Sequence, residues 1–236
     1  MVRRAVGRLL PAAVVGVLTS SCASAGAGPQ LRAGAQEWVP TTLPDGERLN
    51  LLVVAPEGPA EGVVVAFPWG RGDAGLLLGL VETYWDEAAP AAGYAVVGVE
   101  AYGPGLEDRA EEVMGTVLGW VDAHLPEAAE RVILTGASAG GIGVFHAALA
   151  VPERVDAIVA MPGRASGDRS LAPLAGKRVL LLVGEHDGRW IAGSEATAER
   201  LRAAGADVTL QVLAGQGHVL GIGEVELLRW IESTHD

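Results

Sequence analysis

The sequence predicts an α/β fold, a mostly parallel sheet with helices packed on both faces. Three observations carry this prediction. From Glu37 onward, short apolar runs alternate with longer amphipathic ones, the rhythm of strand–helix–strand units. Two of the short runs, GVVVAF at 62–67 and RVLLLV at 178–183, are almost unbroken in their apolarity, as strands buried on both faces must be. The domain opens with a pair of strand-like segments joined by a tight turn, so an antiparallel hairpin leads into the parallel part.

Taken in order, Glu37–Leu43 and Glu47–Ala55 are the hairpin strands, and Pro44-Asp45-Gly46 supplies its turn chemistry. Gly62–Phe67 is the first buried strand, followed by a helix over Ala74–Ala92 and a second buried strand over Tyr94–Glu100. Leu106–Leu125 reads as an amphipathic helix: Val113, Val117, Trp120 and Val121 recur at helical spacing, and Glu107, Asp108, Glu111 and Glu112 sit in its first turns, where the helix dipole favours acids. The second half repeats the pattern: strand Arg131–Thr135, helix Gly140–Ala150, strands Val155–Ala160 and Arg178–Val183, helix Ser194–Ala204, strand Asp207–Leu213 and helix Gly223–Ser233. At 236 residues, half of them hydrophobic, the chain is long enough for one sizeable core.

The first 25 residues read differently. Arg3, Arg4 and Arg8 precede a short apolar run, Leu9–Leu18, and then small residues, the layout of a bacterial export signal; the run is too short for a membrane-spanning helix. Besides a leader with no targeting role, two processing outcomes remain open. Cys22 resembles the lipidated cysteine of bacterial lipoproteins, with Thr19 where that motif usually has leucine; this would anchor the chain to a membrane. Cleavage after Ala23-Ser24-Ala25 would instead release it to the periplasm or medium. Residues 26–36 read as a Gly/Ala linker and 37–236 as the domain. With Cys22 the only cysteine, no intramolecular disulfide can form.

The net charge of −12 argues against a nucleic-acid partner, which needs clustered Lys and Arg. No G-x-G-x-x-G follows the first strands and no His/Cys/Asp cluster has metal-ligand spacing, so neither a dinucleotide nor a metal is expected.

In parallel sheets, ligands bind beyond the carboxyl ends of the strands, and three motifs fall there. Gly136-Ala137-Ser138-Ala139-Gly140 lies between the strand RVILT and the helix GIGVFHAALA. A serine hydroxyl attacks only when exposed beside a base, and a sharp strand-to-helix turn presents it that way. The Ala139 N–H then points toward a developing oxyanion. Gly184-Glu185-His186-Asp187 follows RVLLLV and puts Asp187, with Glu185 as fallback, where an acid can orient an imidazole. Gly215-Gln216-Gly217-His218 follows the last strand and offers His218 as the base. His124, His146 and His235 are weaker candidates, placed near a helix end, inside a helix and at the terminus.

The chain order Ser138, Asp187, His218, each directly after a strand, resembles that of the α/β-hydrolase superfamily. The resemblance runs from about Trp38 to the C-terminus. The segment GASAGGIGVFHAALAVPERVDAIVAMPG is similar to the nucleophile region of small serine esterases: dienelactone-hydrolase-like, carboxylesterase, and secreted feruloyl- or polyester-esterase-like groups. It implies a roughly eight-stranded sheet and hydrolysis of a small-molecule or polymer ester without metal or organic cofactor. Dienelactone hydrolases carry cysteine where this chain has Ser138. The family also places a second oxyanion donor after the first buried strand; here Pro68 cannot donate, leaving the N–H of Trp69 or Gly70. Trp69 and Trp190 are candidate walls of a substrate pocket, with core or rim packing as the alternative role. The short connection Met161–Lys177 leaves room for at most a short lid. Two other functions fit the same residues: a serine peptidase or amidase, and a non-catalytic binding protein of the same fold.

Overall fold

The computed structural model describes residues 31–233. The export segment with Cys22, linker residues 26–30 and His235 lie outside the described residues.

The strands are β1 (Gln36–Thr42), β2 (Arg48–Val54), β3 (Gly62–Phe67), β4 (Tyr94–Val99), β5 (Val132–Gly136), β6 (Ala157–Ala160), β7 (Arg178–Gly184) and β8 (Asp207–Leu213). They form one sheet in the order β1-β2-β4-β3-β5-β6-β7-β8. Pairs β1–β2 and β2–β4 are antiparallel and the others parallel, so β2 alone runs against the rest. The helices are α1 (Ala74–Tyr84), α2 (Ala88–Ala91), α3 (Leu106–His124), α4 (Ala139–Ala150), α5 (Gly188–Ala203) and α6 (Glu224–Glu232).

The apolar runs of the central strands are explained by two cores, one on each face. Along β3, Val63, Val65 and Phe67 face α3, α4 and α5, while Val64 and Ala66 face α1, α2 and α6. The same alternation divides Val179 and Leu181 from Leu180 and Leu182 on β7. Burying a Leu or Val side chain contributes roughly 1.5–3 kcal/mol, which is why both faces of these strands must be apolar.

Three boundaries differ from the sequence reading. The helix expected over 74–92 is two helices, because continuing through Pro90 would set its ring against the carbonyl of Asp86; α1 stops as the Trp85 N–H closes on the Val81 carbonyl. Helix α5 begins at Gly188, not Ser194: Gly188 and Gly193 weaken the local helix signal, but the Trp190 and Ile191 N–H groups both bond the Asp187 carbonyl. Residues 31–36, assigned to the linker, already touch the domain: Gln36 belongs to β1, Ala33 bridges Ala55, and Leu31 packs on the core.

The β6–β7 connection lies down along the helices beside it. Ser194 Oγ donates to the Gly163 carbonyl at 2.8 Å, Ala165 N–H donates to Thr197 Oγ1 at 3.0 Å, and Ser166 Oγ meets His146 Nε2 at 2.8 Å. The connection is thereby held on α4 and α5, and no lid covers the sheet's carboxyl edge among the described residues.

His146 is 2% exposed, and burial lowers its pKa; Glu107 pulls it up, Arg169 pushes it down and Asp108 pulls it up, each less than burial. The unfolded chain takes a proton near the ordinary histidine value while the folded chain resists it. Stability is therefore fully present above about pH 6.5 and falls as pH drops through the window below. His146→Gln, which cannot titrate, is expected to show a flatter decline of urea-unfolding free energy between about pH 7 and pH 5. Equal slopes would remove His146 from the acid sensitivity.

Candidate active site

Three loops at the carboxyl edge of the sheet meet at Ser138. β5 ends at Gly136 and α4 starts at Ala139, so the chain reverses within two residues. Ser138 has φ 56° and ψ −112° and is the only non-glycine residue with positive φ among those described. Such a conformation costs about 1–3 kcal/mol and persists because its surroundings hold it. Ser138 N–H donates to the Pro162 carbonyl at 2.8 Å, and Ile142 N–H to the Ser138 carbonyl at 3.1 Å. Gly140 permits the turn to seat: a Cβ there would overlap the Phe67 carbonyl at the end of β3.

His218 lies across from this turn. Its Nε2 is 2.9 Å from Ser138 Oγ and its Nδ1 is 2.5 Å from Asp187 Oδ2. The tautomer that satisfies both contacts carries its proton on Nδ1, so N–H donates to Asp187 and Nε2 accepts from the serine hydroxyl. The Asp187 side chain is 15% exposed and that of His218 43%, so the acid is shielded while the base faces solvent. Asp187 stands at the N-cap of α5 yet makes no side-chain cap bond; its carboxylate is turned to the imidazole instead.

The histidine loop is held from several sides. Glu185 Oε2 accepts from Gly215 N–H at 2.7 Å, His186 N–H donates to the Gln216 carbonyl at 2.8 Å, and Gln216 Oε1 accepts from Gly221 N–H at 2.8 Å. Tyr84 Oη, from α1, donates to the Leu220 carbonyl at 2.8 Å, and burial raises its pKa. Glu185, the fallback acid of the sequence reading, thus supports the loop that bears the histidine and makes no hydrogen bond to its ring. Sequence reasoning missed Glu185, Gln216 and Tyr84 as supports. The Gly-Gln-Gly spacing marks a loop, but nothing local points to Tyr84.

The N–H groups of Ala139, Trp69 and Gly70 have no internal acceptor among the described residues, and the Ala137 N–H donates to the Phe67 carbonyl at 3.4 Å, joining the β3 loop to the serine turn. The Trp69 indole packs against Gly79 of α1 and the core there, so its ring belongs with the packing alternative. Trp190 stands at the site: its ring is 5.4 Å from the His218 ring, tilted by 46°. His124 Nδ1 bonds the Trp120 carbonyl at 2.8 Å and its ring stacks on that indole, and His146 bonds Ser166, so neither reaches Ser138. Among the described residues, no three His, Cys, Asp or Glu side chains are grouped closely enough to hold a metal ion.

Sheet order, the single reversed strand and the serine turn define an α/β-hydrolase fold. The family model described as "Putative esterase" matches residues 83–219, more than half of the chain. The chain therefore belongs to this esterase family, and its class is that of a hydrolase. Solved structures agree on the fold. An acetyl xylan esterase from Aspergillus awamori is similar with a TM-score of 0.66 at 13% identity, covering 84% of this chain and 98% of that one. A lidless α/β serine hydrolase from Xanthomonas campestris is similar with a TM-score of 0.61 at 20% identity, covering 87% and 100%. A thermostable esterase is similar with a TM-score of 0.62 at 17% identity over 76% of this chain, which spans about half of that protein's length (54%). No curated protein sequence matches.

Proposed function

We propose that this protein is a serine-dependent carboxylic ester hydrolase working through an acyl-enzyme on Ser138. The observation that carries the reading is the unbroken hydrogen-bond chain from Ser138 Oγ through His218 to Asp187. Ser138 Oγ attacks the ester carbonyl carbon while His218 Nε2 takes its proton. Asp187 stabilises the imidazolium that forms. The Ala139 N–H and that of Trp69 or Gly70 receive the oxyanion, a role in which one donor contributes about 10²–10³ in turnover. The tetrahedral species collapses, the C–O bond to the alcohol breaks, and the alcohol leaves with the proton from His218. Water then attacks the acyl carbon with His218 again as base, freeing the acid and Ser138.

The open carboxyl edge favours small esters or the exposed ester bonds of a polymer. The test is labelling of the folded domain by a fluorophosphonate, with the adduct located by peptide mass spectrometry, beside hydrolysis of chromogenic esters of rising acyl length. An adduct on Ser138 with ester turnover is the expected result. A folded protein that takes no label and turns over no ester would favour the binding-protein reading, and cleavage of matched amides as fast as esters would favour the amidase reading.

Export through residues 1–25 completes the proposal, with Cys22 deciding between anchoring and release. Expression with labelled palmitate separates the two: label lost in Cys22→Ala means an anchored lipoprotein, and an unlabelled chain starting after Ala25 means release.

A further inference from the structure

Resting on the reading of Ser138 as nucleophile, we propose that the preferred ester carries a carboxylate, which Arg164 binds. Arg164 follows β6, and its N–H donates to the Gly141 carbonyl of α4 at 3.1 Å, which fixes its backbone beside the serine turn. Its stem runs across Gly193 of α5, where a Cβ would strike the Arg164 Cδ. A glycine inside a helix is unfavourable relative to alanine, and here that glycine is the berth of the arginine. The guanidinium comes to rest over Trp190, Cζ 5.6 Å from the ring centroid, and the same indole is tilted against the His218 ring, 5.4 Å between centroids. Arg164 is thus one ring removed from the base.

Among the described residues, this guanidinium makes no ion pair and no hydrogen bond, whereas Arg109 and Arg154 are both paired with carboxylates. Arg71 after β3 and Arg189 in the first turn of α5 are likewise exposed and without ion pairs. At the same edge, Asp73 accepts from Leu76 N–H, Glu100 from the Asn50 amide, Glu185 from Gly215 N–H and Asp187 from His218, so none of these four carboxylates is paired with Arg164. In a chain of net charge −12, Arg164 is thus an unpaired cation close to the base. A planar cation held on an indole, with its fork of donors unmet, is pre-organised for a carboxylate.

The carboxylate can belong to the acyl part, as in a monoester of a dicarboxylic acid, or to the leaving group, as in an acylated hydroxybenzoate. The experiment compares 4-nitrophenyl hydrogen adipate with 4-nitrophenyl hexanoate, and 4-acetoxybenzoate with phenyl acetate. It uses wild type, Arg164→Gln and, as a control for lost charge, Arg154→Gln. Wild type is expected to prefer the anionic member of one pair, and that pair identifies which side carries the charge. In Arg164→Gln the anionic-to-neutral ratio of kcat/KM is expected to fall about fivefold, the scale of one half-exposed ion pair. The ratio should hold in Arg154→Gln, and the wild-type preference should shrink as salt rises to about 0.5 M. Turnover of the neutral esters without anionic preference in either pair, or an equal shift of the ratio in both variants, would overturn the proposal while leaving Ser138 in place. Turnover of no ester at all would overturn the esterase reading and this one with it.

Discussion

Ser138→Ala is expected to lower kcat on carboxylic esters by about 10⁶-fold and to abolish fluorophosphonate labelling, the loss found when a serine hydrolase forfeits its nucleophile. The domain should remain folded. Alanine keeps the Cβ that Ser138 already carries, the backbone bonds to Pro162 and Ile142 are untouched, and only the hydroxyl's contact with His218 is lost. Ser138→Gly sharpens the test. Removing the Cβ at φ 56° relieves backbone strain, so this variant should be equally inactive yet gain about 1 kcal/mol in urea unfolding. Activity and stability would then move in opposite directions at one residue, as expected of a strained site held for chemistry. Retained turnover in Ser138→Ala would dismiss the serine mechanism.

Asp187→Asn is expected to lower kcat by about 10⁴-fold with little change in KM. The amide fits where the carboxylate was but can donate to Nδ1, which reverses the imidazole tautomer and points an N–H at Ser138 in place of a lone pair. It also leaves the imidazolium without its counter-charge. Glu185→Ala is the companion variant. Glu185 bonds Gly215 and not the ring, so its loss should loosen the histidine loop, cost about 1 kcal/mol of stability and reduce kcat by no more than about tenfold. A larger loss in Glu185→Ala than in Asp187→Asn would exchange the roles of the two acids.

Much of this was legible in the chain because it rests on local causes. Strand and helix alternate with the periods that burial imposes, so all eight strands could be read from GVVVAF-like runs and turn residues. Ser138, Asp187 and His218 each sit in a short motif directly after a strand, and a parallel sheet brings all such positions to one edge. Position after a strand, in a sheet whose strands run parallel, was enough to bring them to that edge.

What needed the tertiary structure depends on contacts between distant segments. Tyr84 steadies the histidine loop from 136 residues away, a pairing set by how α1 crosses the sheet. The start of α5 at Gly188 is dictated by the Asp187 carbonyl against a weak local propensity, and the division of α1 from α2 by a ring clash at Pro90. Trp69 and Trp190 look alike in sequence, each a tryptophan in a loop at a strand end, yet one indole packs on α1 and the other stands beside His218. Arg164 is one of sixteen arginines until Gly193 and Trp190 are seen beneath it. Periodicity records which face of an element is buried; it carries no record of which distant side chain covers that face, and that is what the packing decides.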